Sequence, residues 1–208
     1  MPTLEQQSFE FVHTHSAFFS GLVGVIIGAL LTAWLTSRRE QKQRKLAFLE
    51  KQLSMFYSPM LGLRNEIKTH SDFRVHVQNE AETAWEELCK EFENLGIETR
   101  QRITNERWPG FKRIIEYDNT KFQEELLPTY QKMVELFRDY YWLAELETRV
   151  FYIDLLEFVE VWNRWNDQAL PVEVLERLGH GESKLVSFYA HIEQTHDAIR
   201  QKLKDGMP

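Results

Sequence analysis

Apolar residues fill one uninterrupted block near the start of the chain and afterwards recur at three- and four-residue steps. The block covers residues 18–36 and contains no charged side chain. At a rise of ~1.5 Å per residue, nineteen helical residues span about 28 Å, close to the ~30 Å hydrocarbon core of a bilayer. The pattern predicts a transmembrane helix over 18–37, preceded by a short extracytoplasmic N-terminus over 1–17.

Basic residues are distributed unequally around this predicted span. None precedes it, and five follow it closely: Arg38, Arg39, Lys42, Arg44 and Lys45. Basic flanks stay on the cytoplasmic side, so we expect a single-pass protein of the inner (plasma) membrane with its C-terminal domain in the cytoplasm. A cleaved signal peptide would need basic residues before the apolar block, and none is present there. We therefore expect the block to stay in the mature protein as an anchor. The basic cluster is either an orientation signal alone or also a surface that binds anionic lipid.

Small residues recur every fourth position within the predicted span, at Ser20, Gly24, Gly28 and Thr32. This spacing places them on one helix face and includes a GxxxG motif. Helix backbones approach closely at such faces, because packing is the main force between helices in lipid. The face predicts helix–helix packing in the membrane and a homodimer, although glycine is also common in spanning helices that do not associate.

The rest of the chain follows a helical period and shows no five-residue alternation typical of strands. We predict a basic juxtamembrane helix over 38–58 that turns at Pro59, followed by a cytoplasmic helical domain over 59–208. Pro109 and Gly110 predict a turn. The further helices are expected at 60–78, 80–94, 111–127, 129–165 (as one helix or as two joined near 145–148), 171–179 and 182–204. The predicted fold class is all-α, an N-terminal transmembrane helix continuing into a multi-helix bundle.

One apolar stripe crosses the boundary between the juxtamembrane helix and the domain, at Leu46, Leu49, Leu53 and Phe56. The stripe could extend a dimer contact beyond the membrane. The interpretation we favour is that it packs on the rest of its own domain, because two heptads are too few to define a coiled coil.

Composition narrows the class of partner. From position 46 onward the chain has 20 basic and 29 acidic side chains, and an acidic domain argues against a nucleic-acid partner. The single cysteine, Cys89, cannot form an intrachain disulfide, which suits a reducing compartment. The expected partners are the lipid bilayer and a protein.

The segment around Pro59 carries a resemblance. Gln52, Leu53, Phe56, Tyr57 and Pro59 form a QLxxFYxPL-like pattern. With this pattern behind an N-terminal span and a basic flank, the chain resembles uncharacterised bacterial single-pass membrane proteins. The stretches LLPTYQKM and FVEVWNRW are similar as well. The resemblance implies a location and a helical domain, and nothing about activity.

Candidate chemistry is sparse. Glu193 and His196 form an ExxH motif, but a di-iron bundle site needs a second copy and two further carboxylates. No nucleophile, base and orienting group can be assembled, so we predict no catalytic residue, metal ligand or cofactor. The function expected is a membrane-tethered helical scaffold, adaptor or regulatory module that binds a protein partner or itself. The alternative is a metal-dependent enzyme or metal protein with its site inside the bundle.

Tryptophan is frequent in the predicted domain, at Trp85, Trp108, Trp142, Trp162 and Trp165. Aromatic residues at this density either line a groove for a partner helix or fill the core of the bundle. The candidate partner surface is Trp162, Arg164 and Trp165, near the end of a predicted helix.

Overall fold

A computed structural model describes residues 29–179 and 181–206 of the chain. These residues form helices and turns and no β-strand, which confirms the all-α prediction. The α-helices are α1 (29–52), α2 (Ser58–Phe92), α3 (Ile97–Lys121), α4 (Leu127–Asp139), α5 (Leu146–Arg149), α6 (Phe151–Asn166), α7 (Val172–Leu178) and α8 (Val186–Asp205). Two π-helical turns, Leu53–Tyr57 and Phe122–Leu126, and two 3₁₀ turns, Tyr141–Leu143 and Glu182–Leu185, connect them.

The predicted turn at Pro59 is wrong, because the helix continues through the proline. The π-helical turn Leu53–Tyr57 ends two residues before Pro59, and the N–H of the intervening Ser58 donates to the Leu53 carbonyl. A π-turn shifts hydrogen bonding by one residue, so the missing N–H of Pro59 falls at the start of a new α-helical segment, where it is tolerated. The separate helices predicted over 60–78 and 80–94 are likewise one helix, α2.

The same arrangement recurs at Pro128. The Leu127 N–H donates to the Phe122 carbonyl across the second π-turn, and α4 begins immediately afterwards. The predicted turn at Pro109 and Gly110 is also wrong, because both residues lie inside α3. Both are exposed, so water can satisfy the backbone carbonyl that loses its helical partner.

The core of the bundle forms where the start of α2, with its π-turn, meets α4, α6 and α8. Phe137 on α4 is at its centre and is completely buried. Its ring centroid lies 5.1 Å from that of Phe56, 5.1 Å from that of Tyr152 and 6.0 Å from that of Phe188. Phe56 is therefore a core residue, in agreement with the interpretation that the stripe ending there packs on its own domain.

The stretch 129–165 is not one helix, because a 3₁₀ turn and the short helix α5 separate α4 from α6 near the predicted joint at 145–148. A buried polar network fixes this connection. The Tyr57 hydroxyl lies 2.9 Å from the Thr148 hydroxyl and accepts the Glu145 N–H at 3.0 Å. The Gln52 Nε2 donates to the Leu143 carbonyl at 2.7 Å. Thr148 also lies 2.8 Å from the His191 Nε2 on α8. These bonds provide partners for backbone groups of the connection that would otherwise be buried unpaired.

The later helix boundaries follow the sequence closely. The residue before α7 is Pro171, and the helix ends at Gly179, which has a φ of 61°. A left-handed residue of this kind ends helices commonly and is usually glycine. The last helix predicted over 182–204 is a 3₁₀ turn leading into α8.

The described residues fall into two compact units. One contains 29–49 and 203–206, and the other is Glu50–Lys202. Among the described helices, none combines the length and the apolar character needed to cross a bilayer. Most of the predicted span, residues 18–28, lies outside the described residues, and the span therefore stays a prediction.

Candidate interaction surface

The outer part of α2, residues 68–92, and the whole of α3 form an antiparallel pair of helices that we call the arm. No residue of α2 beyond Ile67 is buried, and the only buried residue of α3 is Asp118. An amphipathic helix in a packed domain normally buries one apolar stripe. The arm therefore keeps its apolar residues at least partly accessible to solvent.

The two helices of the arm touch through a stripe at helical spacing. The Trp85 ring on α2 lies 5.1 Å from the Trp108 ring and 5.0 Å from the Phe111 ring of α3, measured between centroids. Nearer the bundle, the Gln78 Nε2 donates to the Asp118 Oδ2 at 3.3 Å. These edge-on aromatic contacts hold α2 and α3 together without covering the rest of either helix.

A cleft of about 400 Å³ opens beside the tryptophans, and we call it the distal cleft. Its lining residues are Gln78, Ala81, Glu82 and Trp85 from α2, and Trp108, Phe111, Ile114 and Ile115 from α3. Trp108 is 42% exposed and Ile115 is 48% exposed. The distal cleft is thus a mainly apolar depression with an aromatic floor and one carboxylate at its edge.

A second cleft of about 500 Å³, the proximal cleft, lies between the arm helices nearer the bundle. Its lining residues are His70, Phe73, Arg74, Val77, Arg113, Ile114, Tyr117, Asp118, Lys121 and Leu126. Phe73 is 67% exposed. Lys121 pairs with Glu125 at 2.7 Å, and the Arg113 Nε donates to the Pro109 carbonyl at 3.3 Å. This cleft is also apolar, with a basic rim.

Charge is divided between the two helices of the arm. Over residues 68–92, α2 carries six acidic and three basic side chains, a net charge of −3. The helix α3 carries four acidic and six basic side chains, a net charge of +2. Within the described residues every salt bridge of the arm joins neighbours on one helix or its continuation, and none joins α2 to α3.

The three residues predicted as a partner surface lie near the C-terminal end of α6, and their role stays a prediction. Trp162 is half-buried, and its ring lies 4.6 Å from that of Phe122. The Arg164 Nε is 2.7 Å from the Glu160 Oε1 one turn earlier. Trp165 is 37% exposed. Another pair of tryptophans, Trp85 and Trp108, borders the distal cleft, and helical spacing in the sequence was the available signal for it.

Of the residues predicted to face the membrane, Ser20, Gly24 and Gly28 lie outside the described residues. Thr32 and the whole basic cluster are on α1 and are exposed. The Arg38 guanidinium stacks 3.9 Å from the Trp34 ring centroid, and Arg44 pairs with Glu40 at 3.5 Å. The cluster therefore presents several positive charges along one helix.

A second polar group is buried where α4 meets α8. The Tyr130 hydroxyl donates to the Glu182 Oε1 at 2.9 Å, and the Tyr189 hydroxyl approaches the same oxygen at 3.4 Å. Burial raises the pKa of Tyr130 and of Tyr189, and the Glu182 carboxylate adds to both shifts. Burial also raises the pKa of Tyr57 in the other network. Tyr130 and Tyr189 therefore act as hydrogen-bond donors to Glu182, and burial keeps all three tyrosines protonated.

No three histidine, cysteine, aspartate or glutamate side chains converge on a possible metal position in the part of the chain that the structure describes. Comparison of the chain with family models, with curated proteins and with solved structures finds no match.

Proposed function

We propose that this chain is a membrane-tethered helical scaffold, adaptor or regulatory module that binds a protein partner or itself through its arm. The observation that carries the proposal is the uncovered arm. Two helices of 35 and 25 residues leave the bundle core, and beyond Ile67 they bury only Asp118. Helices gain most of their stability from packing an apolar face, so a long and uncovered pair favours a further packing partner.

The proposed tether is the predicted transmembrane helix over 18–37, with the basic cluster at 38–45 on its cytoplasmic side. A length close to the bilayer thickness and the one-sided distribution of basic residues support this part of the proposal. The resemblance to bacterial single-pass membrane proteins supports the same location. The face at Ser20, Gly24, Gly28 and Thr32 would bring two such tethers together.

The orientation of the tether can be tested with a reporter fused after Pro208 in the full chain. We expect a reporter that works only in the cytoplasm to be active, because all five basic residues of the cluster follow the apolar block. The matched control carries the same reporter before Met1, where it should be inactive. Activity of a periplasm-only reporter after Pro208 would contradict the proposed topology.

Contact between the arm and a protein can be tested by site-specific photocrosslinking in intact cells. A photoreactive phenylalanine analogue replaces Phe73 at the proximal cleft or Trp108 at the distal cleft, since both side chains are partly exposed. We expect a crosslinked protein adduct from at least one of these positions. The control position is Glu176, an exposed residue of α7 outside the arm.

Adduct from an arm position well above that from Glu176 would support the proposed function. The absence of any protein adduct from both arm positions would overturn it, because a docked partner helix would lie within a few ångströms of the probe.

A further inference from the structure

We propose that the distal cleft is covered by the arm of a second copy of this chain, so that two arms form a four-helix bundle. This inference rests on the proposed function and names the partner of the same surface. In the assembly, α2 of each copy lies against α3 of the other. A two-fold axis running along the arms produces this arrangement and places the two arm tips side by side.

The two helices of the arm carry complementary charge. The outer part of α2 has a net charge of −3 and α3 has a net charge of +2. Contact between like helices of two copies would bring α2 against α2 and would be repulsive. Contact between unlike helices brings opposite charges together at both edges of the interface, and such complementarity sets the register and orientation of association.

The charged side chains of the arm are available to a partner. Glu80, Glu82 and Glu86 on α2 are exposed, and so are Arg100, Arg102 and Arg107 on α3. Within the described residues none of these six forms a salt bridge. Glu82 lines the distal cleft directly. A second copy would therefore gain attraction from the charges that border the interface, without breaking an ion pair that either copy already has.

The exposed face of the arm is large enough for a dimer contact. Twenty residues of each arm helix extend about 30 Å, and two helices ~10 Å apart present a face of roughly 600 Å² in projection. Stable interfaces commonly bury ~800 Å² per partner, measured on the corrugated surface. The face therefore has the dimensions of a standard dimer contact. The rings of Trp85 and Trp108 would lie near its centre, where aromatic residues contribute most to binding.

The test exchanges the charges of the two helices. Glu80→Lys, Glu82→Lys and Glu86→Lys in one variant change the net charge of the outer part of α2 from −3 to +3. Arg100→Glu, Arg102→Glu and Arg107→Glu in another change α3 from +2 to −4. Each full-length variant is made with two different tags, and one tagged copy carries the photoreactive analogue at Trp108. The yield of the adduct that contains both tags reports contact at the distal cleft specifically.

We expect the parent pair to give the doubly tagged adduct. Either variant paired with itself should lose it by on the order of tenfold, because both helix contacts become like-charged. The two variants mixed with each other should recover the adduct. The reversed α2 of one variant then meets the reversed α3 of the other, and the unchanged α3 and α2 meet each other, so both contacts join opposite charges. A helical circular dichroism spectrum for each variant identifies a loss that is due to unfolding, and recovery in the mixture excludes that cause independently.

Absence of a doubly tagged adduct from the parent pair would overturn the inference, and so would equal yields from all pairings. If the Trp108 position then gives an adduct with a different protein, the proposed function stands and only the identity of the partner is wrong. If neither arm position gives any adduct, both proposals fail.

Discussion

Replacing Phe137 by alanine should lower the free energy of unfolding by about 3–5 kcal/mol, the usual cost of truncating a buried phenylalanine. Phe137 has no exposed surface and contacts aromatic rings on three neighbouring segments, at Phe56, Tyr152 and Phe188. Alanine would leave a cavity that these rings cannot fill, because each is fixed by contacts of its own. Denaturant unfolding followed by circular dichroism measures the change.

The matched control is Ile153→Ala on α6, where a large apolar side chain is 61% exposed. Its truncation should change the free energy of unfolding by less than about 0.5 kcal/mol. Equal destabilisation by the two substitutions would show that Phe137 is not at the centre of the core.

The second large effect is a loss of folding stability that we expect at high pH. Tyr57, Tyr130 and Tyr189 are buried, and burial raises the pKa of each above the ordinary value of 10.0. In the unfolded chain these tyrosines lose their protons above about pH 10, while in the folded chain they keep them. The stabilisation from these protonated tyrosines is therefore fully present below about pH 10, and the free energy of unfolding falls as the pH rises further.

The slope follows from the difference in bound protons. Each tyrosine that stays protonated only in the folded state lowers the free energy of unfolding by about 1.4 kcal/mol per pH unit above pH 10. Tyr130 and Tyr189, whose pKa values are raised furthest, give roughly 3 kcal/mol per unit, and Tyr57 adds to the loss in the same direction. Thermal melts between pH 8 and pH 11.5 measure the loss of stability, and absorbance near 295 nm should show the tyrosinates appearing together with unfolding.

The control for this prediction is Tyr189→Phe, which removes one of the three groups. The variant should show a shallower decline above pH 10 than the parent chain. Titration of all the tyrosines near pH 10 without loss of the helical signal would contradict the assignment of these three hydroxyls as buried and protonated.

The helical class and the apolar faces could be predicted from the sequence because both depend on local spacing. The three- and four-residue steps at Met133 and Phe137 place these residues on one face, and both are completely buried. The boundaries at Pro171 and Gly179 were equally readable, since a proline before the first turn and a left-handed glycine act within a few residues.

The effect of the other prolines could not be read in this way. Pro59, Pro109 and Pro128 all lie within helical paths, and local rules predict a stop or a start at each. Whether a helix ends at a proline depends on whether the freed carbonyl finds another partner. At Pro59 and Pro128 a π-turn provides the new bonding register, and at Pro109 exposure to water does so.

The amino-acid sequence is sufficient to say which residues are apolar and which of them share a face of a helix. The fold is needed to say which of those faces are covered. Trp162 and Trp108 are both tryptophans at helical spacing, yet Trp162 packs on Phe122 inside the bundle while Trp108 borders an open cleft. The physical reason is that burial depends on what lies across from a face, and that is set by contacts between residues distant in the sequence.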